Sequence, residues 1–396
     1  MKLLFVHDHR FHVRGKDVFS GGSFSYEVFK RYLNSFEEVV VVGRRAESST
    51  DQPGNLTLAS GDGVVFDLVP NFSSPISVLR RRRAIHAHLD PLIAKTGALA
   101  ARLPSELGLA AFWRALRRVR PYPRAIEMVG CAWDATYYHS TLASFYAPIA
   151  AARNRRAAAG ADQILYVTED FLQRRYPSPA FQIACSNVEV TPIAEELLGH
   201  RSLRGNPKAA VRLGICCNVD VEYKGVDTAL EAIKLLADHG FNVFLEVLGG
   251  GAGTRIRKIA KVLGLESRLA LLGPLPSGEA VFGWMDSLDQ YWQPSRQEGL
   301  PRALIEAMAR GVPAIGSTAG GIPELLPESR LFDPTDAKSL ARISAGLVVS
   351  EDARDSASKE GWKTAKCYKK SILDGRREAF WHRARMSAEG IHSGRV

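Results

Sequence analysis

Short apolar runs of strand length alternate with helical patterns along nearly the whole chain, and that alternation restricts the fold more tightly than any other feature of the sequence. Residues 2–7 (KLLFVH), 39–42, 64–69, 125–129 and 164–168 read as buried strands. Helical patterns occupy 76–89, 105–119 and the short stretch 169–176, which Pro177 and Pro179 stop. A polar connector with His200, Arg201, Ser202, Arg204, Gly205, Asn206 and Pro207 interrupts the series. The pattern then restarts with a strand at 211–216, a helix at 226–237 led by Gly225, strands at 243–248, 269–273 and 290–293, and a turn of Gly249, Gly250 and Gly251. Strands alternating with helices predict a parallel sheet covered on both faces, here built twice. A length of 396 residues agrees, because a single core stops growing below that size. We place the domains at 1–200 and 201–365, followed by a helical segment at 366–396. From Asp352 onward the pattern is helical, with Trp362, Tyr368, Phe380 and Trp381 as apolar anchors.

The segment 295–326, SRQEGLPRALIEAMARGVPAIGSTAGGIPELL, contains a conflict. From 300 to 310 it predicts a helix packed into a core, with Pro301 at the first helical position, apolar Leu304, Ile305, Ala307 and Met308, and Gly311 as the stop. Glu306 sits inside that apolar run. A carboxylate there needs solvent or a partner, because burying it unpaired costs several kcal/mol. Eight positions earlier Glu298 precedes the helix beside Gly299 and Leu300, where a loop can approach a ligand and the first backbone N–H groups lie free. Residues 312–315 then predict a short buried strand, and the loop from Gly316 to Gly320 and Gly321 leads to what reads as a second helix start, whose free amides suit a phosphate. The residues alone also allow a surface helix with two solvated glutamates.

At the other end of the chain, the strand 2–7 stops at Asp8 and opens into a polar stretch, His9, Arg10, His12, Arg14 and Lys16, which predicts a loop. Gly21 and Gly22 then precede a helical pattern, SFSYEVFKRYL. Strand, polar loop, paired glycine and helix are the parts of a ligand site at the carboxyl end of a parallel strand, though an ordinary turn uses the same residues.

Hydrophobic content of 46% with 24% charged residues is that of a soluble globular protein. No run of about 18 apolar residues occurs, and MKLLFVHDHR reaches charge too soon for a signal peptide, which predicts a cytosolic chain. Cys131, Cys185, Cys216, Cys217 and Cys367 lack both zinc-site spacing and the density of a disulfide scaffold, so reduced, structural thiols are expected. Charge is uneven: residues 75–124 hold eleven Lys and Arg (Arg80, Arg81, Arg82, Arg83, Lys95, Arg102, Arg114, Arg117, Arg118, Arg120 and Arg124) against Asp90 and Glu106. Such a window suits an anionic membrane surface, or the diphosphate of an acceptor, or plain solvated helix faces. A nucleic-acid partner is set aside, because the arginines lack interleaved aromatics and no helix-turn-helix or RNP-like signature accompanies them.

The 295–326 segment resembles the nucleotide-sugar signature of the retaining glycosyltransferases of family 4 (glycosyl transferases group 1), in which two glutamates separated by seven residues precede a Gly-Gly-Ile-Pro-Glu-Leu run. Tyr223, Lys224, Gly225, Val226 and Asp227 resemble that family's Lys-Gly element after the first strand of the second domain. YVTEDFLQRRYP (166–177), RLPSELG (102–108) and EMVGCAWDATYYHS (127–140) are similar to one branch, the capsular and exopolysaccharide glycosyltransferases of bacteria. The resemblance implies the GT-B fold: two doubly wound Rossmann-like α/β domains facing an interdomain cleft, with a C-terminal helix crossing back to the first.

It further implies a nucleotide-sugar donor on the C-terminal domain and an acceptor on the N-terminal one, and the basic window of residues 75–124 would bring that domain to a lipid-linked glycan acceptor at the inner face of the cytoplasmic membrane. Lys224 and the amides at Gly320 and Gly321 would stabilise the leaving diphosphate without a metal or other cofactor. Glu306 would accept the ribose hydroxyls and Glu298 would hold hydroxyls of the sugar, neither as a nucleophile. Gly249, Gly250 and Gly273 would line the base and ribose side. Two departures stand out: Asn218 and Val219 occupy the region where many relatives carry an Arg, and Gly130 stands where many carry a His, leaving Asp134 and His139 to serve near the transferred sugar. A nucleotide-sugar epimerase, a glycogen-type phosphorylase or a non-catalytic sugar-nucleotide-binding relative would share the fold.

Overall fold

The computed structural model describes residues 1–22, 24–47, 56–72, 75–118, 122–138, 141–188, 190–198 and 210–390. Arg120, His139 and the connector from His200 to Pro207, all singled out above, lie outside them. The chain forms two compact units, Met1–Cys185 with Leu373–Val396, and Ser186–Ile372.

In the first unit the strands are β1 (Lys2–Arg14), β2 (Asp17–Ser20), β3 (Glu38–Arg45), β4 (Thr57–Leu58), β5 (Val64–Val69), β6 (Ala98–Leu103), β7 (Arg124–Met128), β8 (Gln163–Tyr166) and β9 (Phe181–Ala184). The parallel part of the sheet runs β5-β3-β1-β6-β7-β8-β9, with β2 and β4 added antiparallel. From β1 the chain winds outward through β3 and β5, then jumps back to β6 and winds the other way. The reversal puts a topological switch point between the carboxyl ends of β1 and β6.

Two elements differ from the sequence expectation. The polar stretch after residue 7 is not a loop: β1 continues to Arg14 and forms a hairpin with β2, turned by Gly15 at φ +60°. The cause is Phe11, which is fully buried against Phe24, Phe29 and Phe66, so the charged residues beside it are strand residues alternating with a core anchor. β6 was not foreseen as a strand; Ala98, Leu99, Ala100 and Ala101 fill the sheet centre, mostly with small side chains, and offer none of the β-branched residues that mark strands. From Leu373 the last helix, Lys370–Ala388, belongs to this unit. Its Phe380 and Trp381 are fully buried, Trp381 lies against Tyr32 and Phe36, and Gln163 Nε2 donates to the Phe380 carbonyl at 2.8 Å.

The second unit holds β10 (Val211–Cys216), β11 (Val243–Leu248), β12 (Leu269–Gly273), β13 (Gln290–Gln293), β14 (Ala314–Ser317) and β15 (Leu331–Phe332) in the order β12-β11-β10-β13-β14-β15, all parallel. Its switch point lies between β10 and β13. Helix Val226–Asp238 packs Ala229, Leu230, Ile233 and Leu236 into the core beneath. The helix after β13 is Arg302–Ala309, starting later than expected because Pro301 is extended and serves as its N-cap, and β14 likewise begins two residues later.

Candidate functional site

Ligands of doubly wound sheets settle outside the carboxyl ends of the strands at the switch point, because there the flanking loops diverge and leave a crevice. In the second unit this is where β10 ends at Cys216, followed by Cys217, and β13 ends at Gln293, followed by Pro294 and Ser295. After β10 a single turn, Glu222–Lys224, closes on Gly225 at φ +71°. A Cβ on Gly225 would stand 2.0 Å from the Pro294 carbonyl oxygen, so only glycine lets this turn lie against the loop after β13. Arg296 laces the two loops: its backbone N–H donates to the Tyr223 carbonyl at 2.7 Å, its guanidinium to the Glu222 carbonyl at 2.9 Å and to Thr228 Oγ1 at 3.0 Å, and it pairs with Asp227 at 3.1 Å.

The lacing brings together two residues that are 74 apart in sequence. Lys224 Nζ donates to Glu298 Oε1 at 2.6 Å, and Ser295 Oγ at 2.7 Å and Gln293 Nε2 at 3.0 Å converge on the same oxygen. Burial opposes the charge on Lys224, but Glu298's charge and hydrogen bond outweigh it and hold its pKa above the ordinary value. Glu298 Oε2 takes no hydrogen bond from any described residue, so the carboxylate is fixed through one oxygen and offers the other.

Glu306, on helix Arg302–Ala309, resolves the conflict in an unexpected way. It is half-buried, and among the described residues its carboxylate has neither a hydrogen bond nor an ion pair. Burial pushes its pKa above the usual carboxylate range, with only the charge of Arg302 opposing. Burial, with Glu306 adding repulsion, also raises the Cys216 thiol to about 11, which puts this acid beside the end of β10. An acceptor held at such a cost without a partner suits a ligand bringing hydroxyl donors.

The glycines fall into two groups. Gly320 (φ +60°) lies so close to the Glu298 loop that a Cβ would meet the Glu298 carbonyl oxygen at 2.2 Å, and Gly321 N–H donates to the Gly299 carbonyl at 2.8 Å. Leu300 is buried beside this clasp. The expected helix start with free amides is therefore corrected: Ile322–Glu324 is one 3-10 turn, drawn inward by fully buried Ile322, and the Gly321 amide is spent on holding the 298–299 backbone. On the other side of β10, Gly249 N–H donates to the Gly273 carbonyl at 3.0 Å, and Gly250 accepts from Val219 N–H at 2.9 Å. Asn218 is exposed and its side-chain Oδ1 accepts the Asp220 backbone N–H at 3.0 Å, shaping the turn after β10. Asp220 in turn takes the amides of Ala252 and Gly253, both at 2.8 Å. Among the described residues no three His, Cys, Asp or Glu side chains gather as a metal site.

In the first unit, exposed Gly21 and Gly22 follow β2 and precede helix Tyr26–Leu33. Asp134 lies on helix Ala132–Tyr137, and burial raises its pKa while a hydrogen bond with Cys131 opposes the shift. At this unit's switch point stands Asp8, whose two carboxylate oxygens accept the amides of Glu106 and Leu107 at 2.6 and 2.9 Å and so cap helix Glu106–Ala115. His7, Asp8 and His9 were not picked out as site residues by sequence reasoning, although polar residues directly after a buried strand were the available signal. The basic window proves mixed. Arg102 is half-buried and bonded to buried Glu127 at 2.6 Å, and Arg114 and Arg124 pair with Asp90 and Asp162. Arg80, Arg82, Arg83, Lys95 and Arg117 remain exposed.

Comparison with known proteins bears chiefly on the second unit. Residues 210–348 match the family described as glycosyl transferases group 1. Along the whole chain there is similarity to Protein CapJ of Staphylococcus aureus, 28% identical over 380 residues, covering 96% of this chain and 94% of that protein. The putative colanic acid biosynthesis glycosyltransferase WcaL of Escherichia coli K12 is 34% identical over 142 residues, covering 33% of this chain and 35% of its own length. Among solved structures, Anabaena Alr3699/HepE in complex with UDP superposes with a TM-score of 0.63 at 15% identity, over 95% of this chain and 98% of that one, and so shares the GT-B fold.

Proposed function

Residues 210–348 are a glycosyl transferases group 1 domain, and from that premise we propose that the chain is a retaining glycosyltransferase of bacterial surface polysaccharide synthesis, moving a hexose from a nucleotide-sugar to a lipid-linked glycan acceptor. The observation that carries this reading is the trio at the second unit's switch point: cationic Lys224, Glu298 with one oxygen committed, and Glu306 without a partner. HepE, which shares the fold, holds UDP, and WcaL is named a glycosyltransferase of colanic acid synthesis.

In this reading negative charge grows on the leaving diphosphate as the anomeric carbon becomes cationic, and Lys224 stabilises that charge as a point cation. Glu298 Oε2 accepts a hydroxyl of the transferred sugar, and Glu306 accepts the two ribose hydroxyls. Gly249, Gly250 and Gly273 leave the base and ribose room against backbone, and Asn218 shapes the turn beside them. Gly299, Leu300, Gly320 and Gly321 act by holding Glu298 in place. Neither glutamate is asked to be a nucleophile, and Lys224 supplies the charge that a metal ion would otherwise bring. On the first unit Gly21, Gly22 and Asp134, with His139, are assigned to the sugar and acceptor. The test is a thermal-shift screen of nucleoside diphosphates and nucleotide-sugars, followed by transfer with the stabilising donor. A ligand at about 100 times its dissociation constant stabilises by about 2.7 kcal/mol. A new glycosidic bond with the donor's anomeric configuration supports the reading; an epimerised or phosphorolysed sugar, or no nucleotide binding, overturns it.

Membrane association is the second part of the proposal. Among the described residues no helix is long and apolar enough to cross a membrane. Helix Pro75–Lys95 instead presents exposed Arg80, Arg82 and Arg83, and helix Glu106–Ala115, packed beside it, adds exposed Trp113 with Arg117 one turn on. Basic residues near an anionic surface contribute about 1 kcal/mol each, and Trp favours the interface. Flotation should therefore require phosphatidylglycerol in the vesicles and be lost when Arg80, Arg82 and Arg83 become glutamate. Equal flotation with phosphatidylcholine alone would remove this part.

A further inference from the structure

The switch point of the first unit holds a side chain that the glycine loop and Asp134 leave unused. β1 pairs with β6 through Leu3–Val6 and with β2 through Phe11–Arg14, while β3 occupies its other edge. Residues 7–10 therefore pass between two partners with one edge open, and the register against β3 shifts over the same stretch. Asp8 turns to the side of helix Glu106–Ala115. His7 and His9 turn to the other, against Phe24, with ring centroids 5.4 and 4.8 Å away.

The two imidazoles are used differently. His9 spends its Nε2 on Ser20 Oγ at 2.8 Å, next to Gly21. His7 accepts the backbone N–H of His9 on Nδ1 at 3.1 Å. A nitrogen that accepts carries no proton, so in the neutral ring the proton sits on Nε2, which becomes a donor. That donor has no partner among the described residues, and the ring is only partly covered. Burial, then the charges of Arg102, His9 and Arg44, holds the His7 pKa well below the ordinary value, so the ring stays neutral at physiological pH; Asp8 lies on the opposite face of the strand.

We propose that His7 binds the acceptor glycan, its Nε2–H donating a hydrogen bond to an acceptor hydroxyl that it orients in the crevice between β1 and β6. The proposal rests on the transferase reading above. It also excludes a role: with the proton on Nε2 and Nδ1 occupied, His7 cannot take a proton from the attacking hydroxyl. Donating to a hydroxyl, it positions the nucleophile and leaves the base to another group.

The test uses the full chain labelled with nitrogen-15 at histidine, the His7 signals being assigned with His7→Gln, and methyl glucoside, galactoside and mannoside as probes. The ring should report the Nε2–H tautomer without titrating as pH falls from about 8 to about 6, the range in which an ordinary imidazole gains its proton, and its signal should move when at least one glycoside is added. With the donor from the nucleotide screen, His7→Phe should raise the acceptor KM about tenfold, the effect of losing one neutral hydrogen bond of about 1.4 kcal/mol, with the donor KM unchanged, while His7→Gln, which keeps an N–H donor, stays within about threefold. The proposal is overturned by a proton on Nδ1, by titration near the ordinary value, by a signal that no glycoside moves, or by His7→Phe transferring like the native chain. Should His7→Phe not fold, the tautomer and the glycoside response decide. Should the native chain make no glycosidic bond with any nucleotide-sugar, the transferase reading fails by itself, and the glycoside response still judges His7.

Discussion

Lys224→Ala is expected to reduce transfer by about 10²–10³-fold, the range seen when a preorganised group facing developing negative charge is removed. Stability should change far less than activity. After the substitution Glu298 Oε1 still accepts Ser295 Oγ and Gln293 Nε2, so the carboxylate is not stranded, and Arg296 still ties the Glu222–Lys224 turn to the loop after β13. Glu306→Ala makes a complementary prediction. Among the described residues its carboxylate bonds to nothing, so the variant should fold at least as well as the native protein. Nucleotide binding should weaken by about ten- to a hundredfold, the worth of hydrogen bonds to a charged acceptor. Donor affinity and kcat for both variants, with thermal unfolding alongside, check the pair. Unchanged transfer in both would sink the assignment of the diphosphate and ribose sites.

Gly320→Ala carries the second large effect, and it is a backbone effect. A side chain at φ +60° costs about 1–3 kcal/mol in strain, and the new Cβ would have to push the Glu298 carbonyl from 2.2 Å to van der Waals contact. The Gly321 to Gly299 hydrogen bond resists that shift, so the movement passes to Glu298 itself. Because a displacement of about 1 Å in a positioning group can cost about 10²-fold, transfer should fall well beyond what the lost stability explains. Gly346→Ala is the control, since that glycine lies in helix Ala337–Val349 with nothing within 4 Å of its Cβ, and should leave transfer intact and slightly raise stability. Equal behaviour of the two variants would mean that the 320–321 clasp does not hold the site.

Most of the second unit could be read from the sequence. Strands β10, β11 and β12 are predominantly apolar runs bounded by glycine or polar turns, with Arg212 and Glu246 as the charged exceptions in β10 and β11, close to the pattern of a covered parallel sheet, and β13 sets Tyr291 and Trp292 between two glutamines. The first unit was harder for two physical reasons. Apart from Arg102, β6 is alanine and leucine, which suit a helix as well as a strand, and β1 carries histidines and arginines in alternation with the single anchor Phe11. Within the site, Glu298, Glu306 and Lys224 were visible as residue types in a recognisable arrangement. The hydrogen bond joining Lys224 to Glu298 was not, because it depends on β10 and β13 being sheet neighbours despite the two strands between them in sequence. The basic window misled in part for a similar reason: Arg102 counts as surface charge until its partner Glu127, on the adjacent strand, is placed.

The path of the chain, which leaves the first unit after Cys185 and re-enters it at Leu373, has a consequence for biosynthesis. A ribosome delivers the nine described strands of that unit early, yet Phe380 and Trp381, which seal Tyr32 and Phe36, arrive only after the whole of the second unit has been made. Until then the nascent first unit carries an open aromatic seam, while the second unit, contiguous in sequence, can complete its core on emergence. Premature termination at Leu373 would therefore release a protein whose second unit is whole and whose first unit is left with that seam uncovered, a natural mark for chaperones and proteases.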